Sequence, residues 1–272
     1  MGELFEFGLC NKFYPGSNIH IVISYFVVII IGYLLGSLNF GVIISKVVYH
    51  DDIRKHGSKN AGATNMLRTY GKIPAAATFL GDGLKTVVAV YIGALFLGTH
   101  NTAFYTQDGV IYQNTARLAI HLQEVYGNNI PDLNQIPGLV SYMGFAGMYF
   151  GGLASIIGHA FPIYYRFKGG KGVVATAVMV LCTEPLVFAI LIVIFIGIVA
   201  ITKFISLGSI MSVLIYPFTL NQMTGFGLHD LIAILITLFI VYLHRENIVR
   251  LVNGTESKIS FGKKDKKQKE KS

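Results

Sequence analysis

An uncharged stretch near the start of the chain, residues 19–45, sets the strongest limit on the fold. It contains no Asp, Glu, Lys or Arg, and a helix needs only about 20 mostly apolar residues to cross a bilayer. The stretch is too long for the apolar part of a signal peptide, and Glu3 and Glu6 precede it where a signal peptide has basic residues. We therefore predict that it remains in the protein as a membrane-spanning helix.

Further apolar stretches extend this interpretation to the whole chain. Only 13% of the 272 residues are charged, about half of the usual 25%, which excludes an intrinsically disordered chain. Two cysteines are too few for a disulfide-stapled secreted domain. The predicted spans after the first are residues 73–98, 136–163, 173–182, 186–201, 204–220 and 228–243.

The spans predict an all-α polytopic membrane protein with seven transmembrane helices. Glu184 and Pro185 separate the fourth span from the fifth, because a proline fits a turn better than a helix interior. Strands of an outer-membrane barrel would alternate apolar and polar residues over about ten positions, and these long apolar runs do not. Helices also satisfy their own backbone hydrogen bonds in lipid.

The distribution of Lys and Arg predicts the orientation. The chain carries a net charge of +8, and basic residues concentrate in cytoplasmic loops. With the N-terminus outside, the outer segments 1–18 and 99–135 hold only Lys12 and Arg117 as basic residues. We therefore predict an external N-terminus and a cytoplasmic C-terminus.

This topology divides the chain into three parts. Residues 1–18 form an extracytoplasmic segment, and residues 19–257 form the membrane domain, into which the outer loop 99–135 is inserted. Residues 258–272 form a lysine-rich tail, and charge runs of this kind are usually disordered.

Glycines and polar residues gather on the predicted inner side. A glycine-rich turn with exposed N–H groups binds anions, and a helix that begins after Gly172 adds its positive dipole. Lys171 supplies a full charge, and Arg54 can hold a phosphate with two hydrogen bonds. Together they predict a site for one or two phosphate groups at the inner membrane surface. The clusters are Gly36 and Ser37 with the loop 52–65, the segment 158–176, residues 206–209, and residues 244–256.

Several other site types are excluded by inspection. Lys171 is followed by Gly172 instead of the Ser or Thr of a nucleotide-binding P-loop. Cys10 and Cys182 are far apart, and neither has a nearby His as a zinc site requires. The basic tail lacks the interleaved aromatic residues of a nucleic-acid surface. We expect no metal, no cofactor and no nucleic-acid partner.

Asp82 and Lys85 lie three residues apart inside the second predicted helix. Ionisable residues are expensive in lipid and mark either function or a buried pair. The pair could neutralise itself and position the helix, or it could take part in catalysis, and both interpretations stay open here.

The inner clusters, in this order, resemble the bacterial acyl-phosphate:glycerol-3-phosphate acyltransferases, the PlsY family. The resemblance covers nearly all of the chain from the first predicted helix to Glu256. It rests on Gly36-Ser37, on Asp52-Ile53-Arg54 and the loop to Asn65, on Gly169-Gly170-Lys171-Gly172-Val173, and on His244-Arg245-Glu246-Asn247.

The resemblance implies an enzyme of the bacterial plasma membrane. It would transfer a fatty acyl group from acyl phosphate to the 1-hydroxyl of sn-glycerol 3-phosphate, in contact with membrane lipid, and so begin phospholipid synthesis. The products would be lysophosphatidic acid and phosphate, and a separate enzyme would have to form the acyl phosphate. An acyl phosphate is already activated, so no covalent enzyme intermediate is required, and the enzyme mainly positions its substrates and stabilises negative charge.

Roles for individual residues follow from the resemblance. The predicted catalytic residues are Ser37, Arg54 and Lys171, which would bind phosphate groups, and His244, which would accept the proton. His159 and the phosphate of the substrate remain alternative proton acceptors. The predicted substrate-binding residues are Gly57, Ser58, Asn60, Gly62, Asn65, Gly169, Gly170, Gly172, Ser206, Ser209 and Asn247.

A transporter of phosphorylated metabolites is the rival hypothesis. Many helices, a basic inner mouth and an intramembrane ion pair would suit one. Transporters usually show internal repeats and place charged groups near the bilayer midplane. The only repeat we find is the short echo of Gly36-Ser37 in Gly208-Ser209. A membrane scaffold, the third hypothesis, would leave the clustered Gly, Ser and Asn residues unexplained.

Overall fold

The computed structural model of the protein is built of α-helices. It describes residues 9, 18–97, 104–105, 111–112, 123–124, 126–127, 146–224 and 227–259. Two 3₁₀ turns, Ile53–Lys55 and Ile163–Tyr165, lie between helices, and the two-residue strands β1 (Phe104–Tyr105) and β2 (Ile111–Tyr112) pair antiparallel. The helices are α1 (Asn18–Gly36), α2 (Phe40–Tyr49), α3 (Ala63–Thr69), α4 (Lys72–Leu97), α5 (Ala146–Ala160), α6 (Val173–Thr183), α7 (Pro185–Thr202), α8 (Ile205–Thr224), α9 (Leu228–Leu243) and α10 (Arg245–Val252).

Each predicted membrane helix has a counterpart among these elements. The first is divided, because α1 ends at Gly36 and α2 begins at Phe40. Pro185 is the first residue of α7, which confirms the turn predicted there. The short helices α3 and α10 were not predicted. Residues 136–145 of the third predicted span lie outside the described residues, as do most of the segment 1–18, most of the loop 99–135 and the tail from residue 260.

Fewer helices than predicted are long and apolar enough to cross a membrane by themselves. Among the described residues they are Val22–Tyr49, Lys72–Leu97, Ala146–Tyr165 and Pro185–Thr202, and α9 with α10 would be a fifth if that pair, bent by 57°, were one span. The 11 residues of α6 extend about 16 Å, short of a hydrocarbon core of about 30 Å. Seven of the 20 residues of α8 are Ser, Thr, Asn or Gln.

Glycines let α1, α4 and α5 pack against one another with their backbones in contact. A Cβ at Gly36 would lie 2.3 Å from the Ser155 carbonyl oxygen, and one at Gly93 would lie 1.9 Å from the Gly147 carbonyl oxygen. Small residues at helix interfaces allow this close packing in membranes. The three helices therefore form a rigid frame, and the predicted site residues lie at one end of it.

A second group of helices, α5, α6, α8 and α9, shares the main apolar core. Ile156, Met179, Tyr216 and Ile236 are all buried there. By contrast, α7 leaves Leu186, Val193 and Ile201 largely exposed, as expected for a helix that faces lipid.

Candidate active site

Ser37 lies in the break between α1 and α2. Its side chain is fully buried, and its hydroxyl donates to the Tyr33 carbonyl oxygen at 2.8 Å. The same hydroxyl oxygen accepts a hydrogen bond from the Ile163 N–H at 3.4 Å. The break is therefore attached to the loop that follows α5.

Asn65 organises the backbone of the loop that precedes it. Its amide group donates to the carbonyl oxygens of Ile53, His56 and Asn60 at 3.2, 3.0 and 2.9 Å. Its Oδ1 accepts from the Ser58 N–H at 3.0 Å. Gly57 has φ = 53°, and a Cβ on it would lie 2.3 Å from the Asn65 Oδ1. Asn65 thus shapes the predicted substrate-binding loop from within.

Arg54 connects this loop to the one after α5. Its Nε and Nη2 donate to the Asp52 carboxylate at 2.9 and 2.6 Å, and Nη1 donates to the carbonyl oxygens of Tyr165 and Lys168, each at 3.0 Å. The hydrogen bonds from Arg54 lower the pKa of Asp52 to about 2. Much of the guanidinium is therefore committed within the protein, and one N–H of Nη2 has no acceptor among the residues that the structure describes.

The glycine-rich turn covers the C-terminal end of α5. The Gly169 N–H donates to the Ala160 carbonyl oxygen at 3.1 Å and the Gly170 N–H to the His159 carbonyl oxygen at 3.0 Å. The expectation that these two N–H groups are accessible to an anion is therefore wrong, because helix carbonyls at a C-terminus need donors.

The next N–H groups of the turn are available. Gly172 adopts φ = 76° and α6 begins at Val173. Within the part of the chain that the structure describes, the N–H groups of residues 171–175 have no hydrogen-bond acceptor. Among the described residues, N–H groups without an acceptor therefore lie directly after the glycine pair, and their binding of an anion stays a prediction.

Gly169→Ala is expected to destabilise the protein by about 1–3 kcal/mol, the usual effect of overpacking. The new Cβ would lie 2.0 Å from the His159 carbonyl oxygen and 2.6 Å from Pro162 Cδ. Thermal unfolding in detergent measures the effect. Gly197→Ala is the matched control, since a Cβ at Gly197 meets nothing within 4 Å. Equal melting temperatures for the two variants would contradict the prediction.

Lys171 is the centre of a polar cluster formed by three separate segments. Its Nζ donates to the Asn247 Oδ1, and the Asn247 Nδ2 donates to the Glu256 Oε1 at 2.8 Å. The Ser206 hydroxyl donates to the same Oε1 at 2.9 Å, and the Arg250 Nε donates to Oε2 at 2.8 Å. The structure therefore brings Lys171, Ser206 and Asn247 together, as predicted for one site.

Glu256 and Arg250 are the members of this cluster that sequence reasoning did not assign to the site. Glu256 is only 9% exposed. The segment 244–256 also contains Glu246, so the charge pattern alone did not distinguish Glu256 as a site residue. Burial raises the pKa of Glu256, but the hydrogen bonds from Arg250, Asn247 and Ser206 outweigh burial and lower it.

The cluster has an excess of positive charge around Lys171. Burial, with a smaller contribution from Arg250, lowers the pKa of Lys171 to about 8, and the Coulomb attraction of Glu256 opposes the shift. Arg68 also acts on Lys171 electrostatically, and its Nη2 donates to the Ser257 carbonyl oxygen at 3.2 Å. Glu246 also opposes the shift, so these groups together leave one positive charge in excess, which favours an anionic ligand.

His244 lies at the junction of α9 and α10 and is 3% exposed. Its Nδ1 is 2.8 Å from the Ile240 carbonyl oxygen. A carbonyl only accepts, so we assign the proton to Nδ1 and the free lone pair to Nε2. Burial lowers the pKa of His244 to about 4, the bond to Ile240 opposes this, and Lys171 adds to it. The ring is therefore neutral at pH 7 with one basic nitrogen available.

Two other predicted residues have different surroundings. The Ser209 hydroxyl donates to the Ile205 carbonyl oxygen of its own helix at 2.9 Å. His159 is 4% exposed, and its Nδ1 is 3.1 Å from the Lys85 Nζ. A Cβ on Gly170 would lie 2.0 Å from the His159 Nε2, so the glycine-rich turn covers this second nitrogen.

Known proteins similar to this chain share one name. The model of the family described as "Glycerol-3-phosphate acyltransferase" matches residues 26–254. "Glycerol-3-phosphate acyltransferase 3" of Bacillus anthracis is 33% identical over 245 residues, which cover 90% of this chain and 100% of the relative. The glycerol-3-phosphate acyltransferase of Clostridioides difficile is 35% identical over 239 residues, 88% of this chain and 97% of the relative.

The fold is similar to that of a solved membrane enzyme. The crystal structure of PlsY, an integral membrane glycerol 3-phosphate acyltransferase, in its glycerol 3-phosphate form gives a TM-score of 0.63 at 29% identity, over 87% of this chain and 96% of that one. Its lysophosphatidic acid form gives 0.61 at 28% identity, over the same shares of the two chains. With the family match across most of its length, the chain belongs to the PlsY family of integral membrane glycerol-3-phosphate acyltransferases.

Proposed function

We propose that this protein transfers a fatty acyl group from acyl phosphate to the 1-hydroxyl of sn-glycerol 3-phosphate. Family membership supports glycerol 3-phosphate as the acceptor, since a solved relative is described in a glycerol 3-phosphate form and in a lysophosphatidic acid form. The observation that carries the proposal is the arrangement around Lys171. Its ammonium group, the unpaired N–H groups of residues 171–175 and a neutral His244 lie together.

In the proposed reaction, His244 accepts the proton of the attacking hydroxyl. The 1-oxygen of glycerol 3-phosphate forms a bond to the carbonyl carbon of the donor as its proton passes to the His244 Nε2. The bond between the carbonyl carbon and the phosphate oxygen then breaks, and the electron pair leaves with inorganic phosphate. Lys171 and the N–H groups after it stabilise the charge on the phosphates. The bound phosphates would also raise the basicity of His244 toward the working pH.

The loops hold the acceptor in place. Arg54 and Asn65 fix the loop 52–65 against the loop after α5, and the side chains of Ser58 and Asn60, which make no hydrogen bond within the described residues, are free to contact the glycerol. Ser37 would complete the set of phosphate ligands by turning its hydroxyl from the Tyr33 carbonyl oxygen to the phosphate. Asn247 would use the amide proton that Glu256 does not accept. The acyl chain lies between helices, open to the lipid.

We further propose seven membrane crossings with the N-terminus outside and the active site on the cytoplasmic face. Three contacts hold the first, third and fifth connections and the C-terminal segment at one end of the bundle. They join Arg54 to Lys168, Lys171 to Asn247, and Ser206 to Glu256. An odd number of crossings is consistent with that arrangement. The positive-inside rule assigns this end to the cytoplasm, where a separate enzyme would supply acyl phosphate.

The donor assignment has a direct test. The purified full-length protein is incubated in detergent or lipid cubic phase with labelled glycerol 3-phosphate and with palmitoyl phosphate, palmitoyl-CoA or palmitoyl-acyl carrier protein. We expect labelled lysophosphatidic acid only with palmitoyl phosphate, together with one phosphate per product. Product from either thioester donor would overturn the donor assignment. A transporter of phosphorylated metabolites would give no product with any donor.

Affinity for glycerol 3-phosphate is expected to fall above pH 8. Since the pKa of Lys171 is about 8, its amino group is positively charged below that pH and loses the charge above it. A phosphate monoester is dianionic throughout this range, because its second pKa is about 6. KM for glycerol 3-phosphate should therefore be constant from about pH 7 to 8 and then rise, by up to about tenfold per pH unit.

The matched control for this pH dependence is Lys171→Arg, because arginine keeps its charge to above pH 12. Its KM should show no rise between pH 8 and 9.5, whatever its absolute value. A wild-type KM that stays constant to pH 9.5 would contradict the role of the Lys171 ammonium in phosphate binding.

A further inference from the structure

Two ionisable residues of α4 are buried beside the break between α1 and α2 and have no part in the reaction proposed above. The side chains of Asp82 and Lys85 are each 2% exposed, and Lys85 Nζ lies 2.8 Å from Asp82 Oδ1. A buried ion pair is weak evidence for stability by itself, since desolvation offsets most of the attraction. The other contacts of the pair indicate what it does.

The pair binds both ends of the broken helix. Lys85 Nζ donates to the carbonyl oxygens of Gly36 at 2.8 Å and Leu38 at 2.6 Å, and the Phe40 N–H donates to Asp82 Oδ1 at 3.4 Å. A break leaves carbonyl groups without partners at the end of one helix and N–H groups at the start of the next. The partial charges of these groups match a cation and an anion respectively.

Ser37 lies between the two carbonyl groups that Lys85 holds. Its own hydroxyl is bonded to the Tyr33 carbonyl oxygen and to the Ile163 N–H, neither of which fixes the backbone on the far side of the break. Lys85 therefore holds the backbone carbonyl groups immediately before and after Ser37.

The same ammonium group also contacts His159, at 3.1 Å from Nδ1. An ammonium group has three N–H donors, and Asp82 Oδ1 and the two carbonyl oxygens already accept from them. His159 is therefore a further neighbour of the ion pair through Nδ1, which also lies 3.6 Å from Asp82 Oδ1, and its other ring nitrogen is Nε2. Gly170 lies against that nitrogen, and its N–H donates to the His159 carbonyl oxygen at 3.0 Å. One side chain thus separates Lys85 from the turn that carries Lys171.

We infer that Lys85, neutralised by Asp82, is a positioning residue for acyl transfer. It holds Ser37 and, through His159, the Gly169–Gly172 turn in register, so that both reach the phosphate of one bound substrate. The inference rests on the proposed function, because it assumes that Ser37 and Lys171 bind phosphate.

The test is a double-mutant cycle between the ion pair and Ser37, with the full-length protein in detergent. Asp82→Asn/Lys85→Met removes both charges and leaves neither unpaired. We expect this variant to fold, with kcat/KM for glycerol 3-phosphate lowered about 30-fold or more, mainly through KM. In a Ser37→Ala background the same change should lower kcat/KM by less than about fivefold, because residues that act together are not additive.

Thr78→Val is the matched control for this cycle. Thr78 is fully buried on the same helix, but its hydroxyl donates only to the Pro74 carbonyl oxygen of its own helix at 2.8 Å. Its kcat/KM should stay within about threefold of wild type.

Three outcomes decide the inference. If the Asp82→Asn/Lys85→Met variant keeps wild-type kcat/KM, or if its loss and that of Ser37→Ala are fully additive, the inference is overturned while the proposed function stands. If Ser37→Ala alone has no effect, the phosphate-binding role of Ser37 in the proposed function fails, and the inference falls with it. Should the neutral pair not fold, Lys85→Arg, which keeps the charge in a different shape, is judged by the same criteria.

Discussion

His244→Ala is expected to lower kcat by about 10²–10⁴-fold, the usual contribution of a general base. The hydrogen bond from Nδ1 to the Ile240 carbonyl oxygen leaves Nε2 as the basic nitrogen. With a pKa of about 4, the imidazole of the free enzyme is neutral throughout the physiological range. The acceptor still binds through Lys171 and the neighbouring N–H groups, so KM for glycerol 3-phosphate should change by only a few-fold.

The pH profile of the wild type gives an independent check on this role. A base with a pKa of about 4 loses its lone pair only as the pH falls through that value, so kcat/KM should show no acid limb near pH 6.5 from this residue. His50→Asn, at an exposed position, controls for the loss of a histidine. If His244→Ala stayed active at every pH, water or the phosphate of the substrate would have to accept the proton. Loss of kcat in His159→Gln, with kcat of His244→Ala unchanged, would reassign the base to His159.

Lys171→Met should lower kcat/KM for glycerol 3-phosphate by about 10³-fold. Removal of one neutral donor from a charge-stabilising site lowers the rate by about 10²–10³-fold, and hydrogen bonds from charged donors are stronger. Methionine keeps most of the aliphatic volume of the side chain, so packing around Gly172 and Asn247 should be little disturbed. Steady-state kinetics with palmitoyl phosphate at pH 7.5 measures the effect, with melting temperature as the test of folding.

The same loop offers a matched control in Lys168. It carries the same charge three residues earlier, but its side chain is exposed. Lys168→Met should therefore keep kcat/KM within about threefold of wild type. Similar losses in the two variants would mean that the general positive charge of the loop attracts the substrate, and wild-type activity in Lys171→Met would refute the assignment of Lys171 to the phosphate site.

Hydropathy predicted the helices well because it is a local property of the chain. Each predicted span has a helix at its position, and the turn at Pro185 follows from the missing N–H of proline. What hydropathy missed is the break after Gly36. The residues 19–45 read as one apolar helix, and the groups that stabilise the break, Asp82 and Lys85, come from another helix.

The site residues, like the helices, were predicted in part from the sequence. The prediction that polar clusters at the inner ends form one site agrees with the contacts of Lys171, Ser206 and Asn247. The donors of the predicted anion-binding turn were only partly identified, since the N–H groups of Gly169 and Gly170 donate to carbonyl oxygens at the end of α5. Asn65 was predicted to bind substrate, but its amide group holds the backbone of its own loop. An Asn side chain forms hydrogen bonds with backbone groups as readily as with a ligand.

Three properties could be predicted from the amino-acid sequence without a fold: the all-α membrane architecture, the bias of basic residues toward one side, and the family. These properties depend on residue type and spacing along the chain, which are visible without a fold. The fold was needed to show that Glu256 holds Asn247, Ser206 and Arg250 around Lys171. It was also needed to show that Lys85 holds the backbone around Ser37. The Ser206–Glu256 and Lys85–Gly36 contacts join residues about 50 positions apart. A buried charge could pair with many different polar groups, and only the packing of the helices decides which of them come within hydrogen-bonding distance.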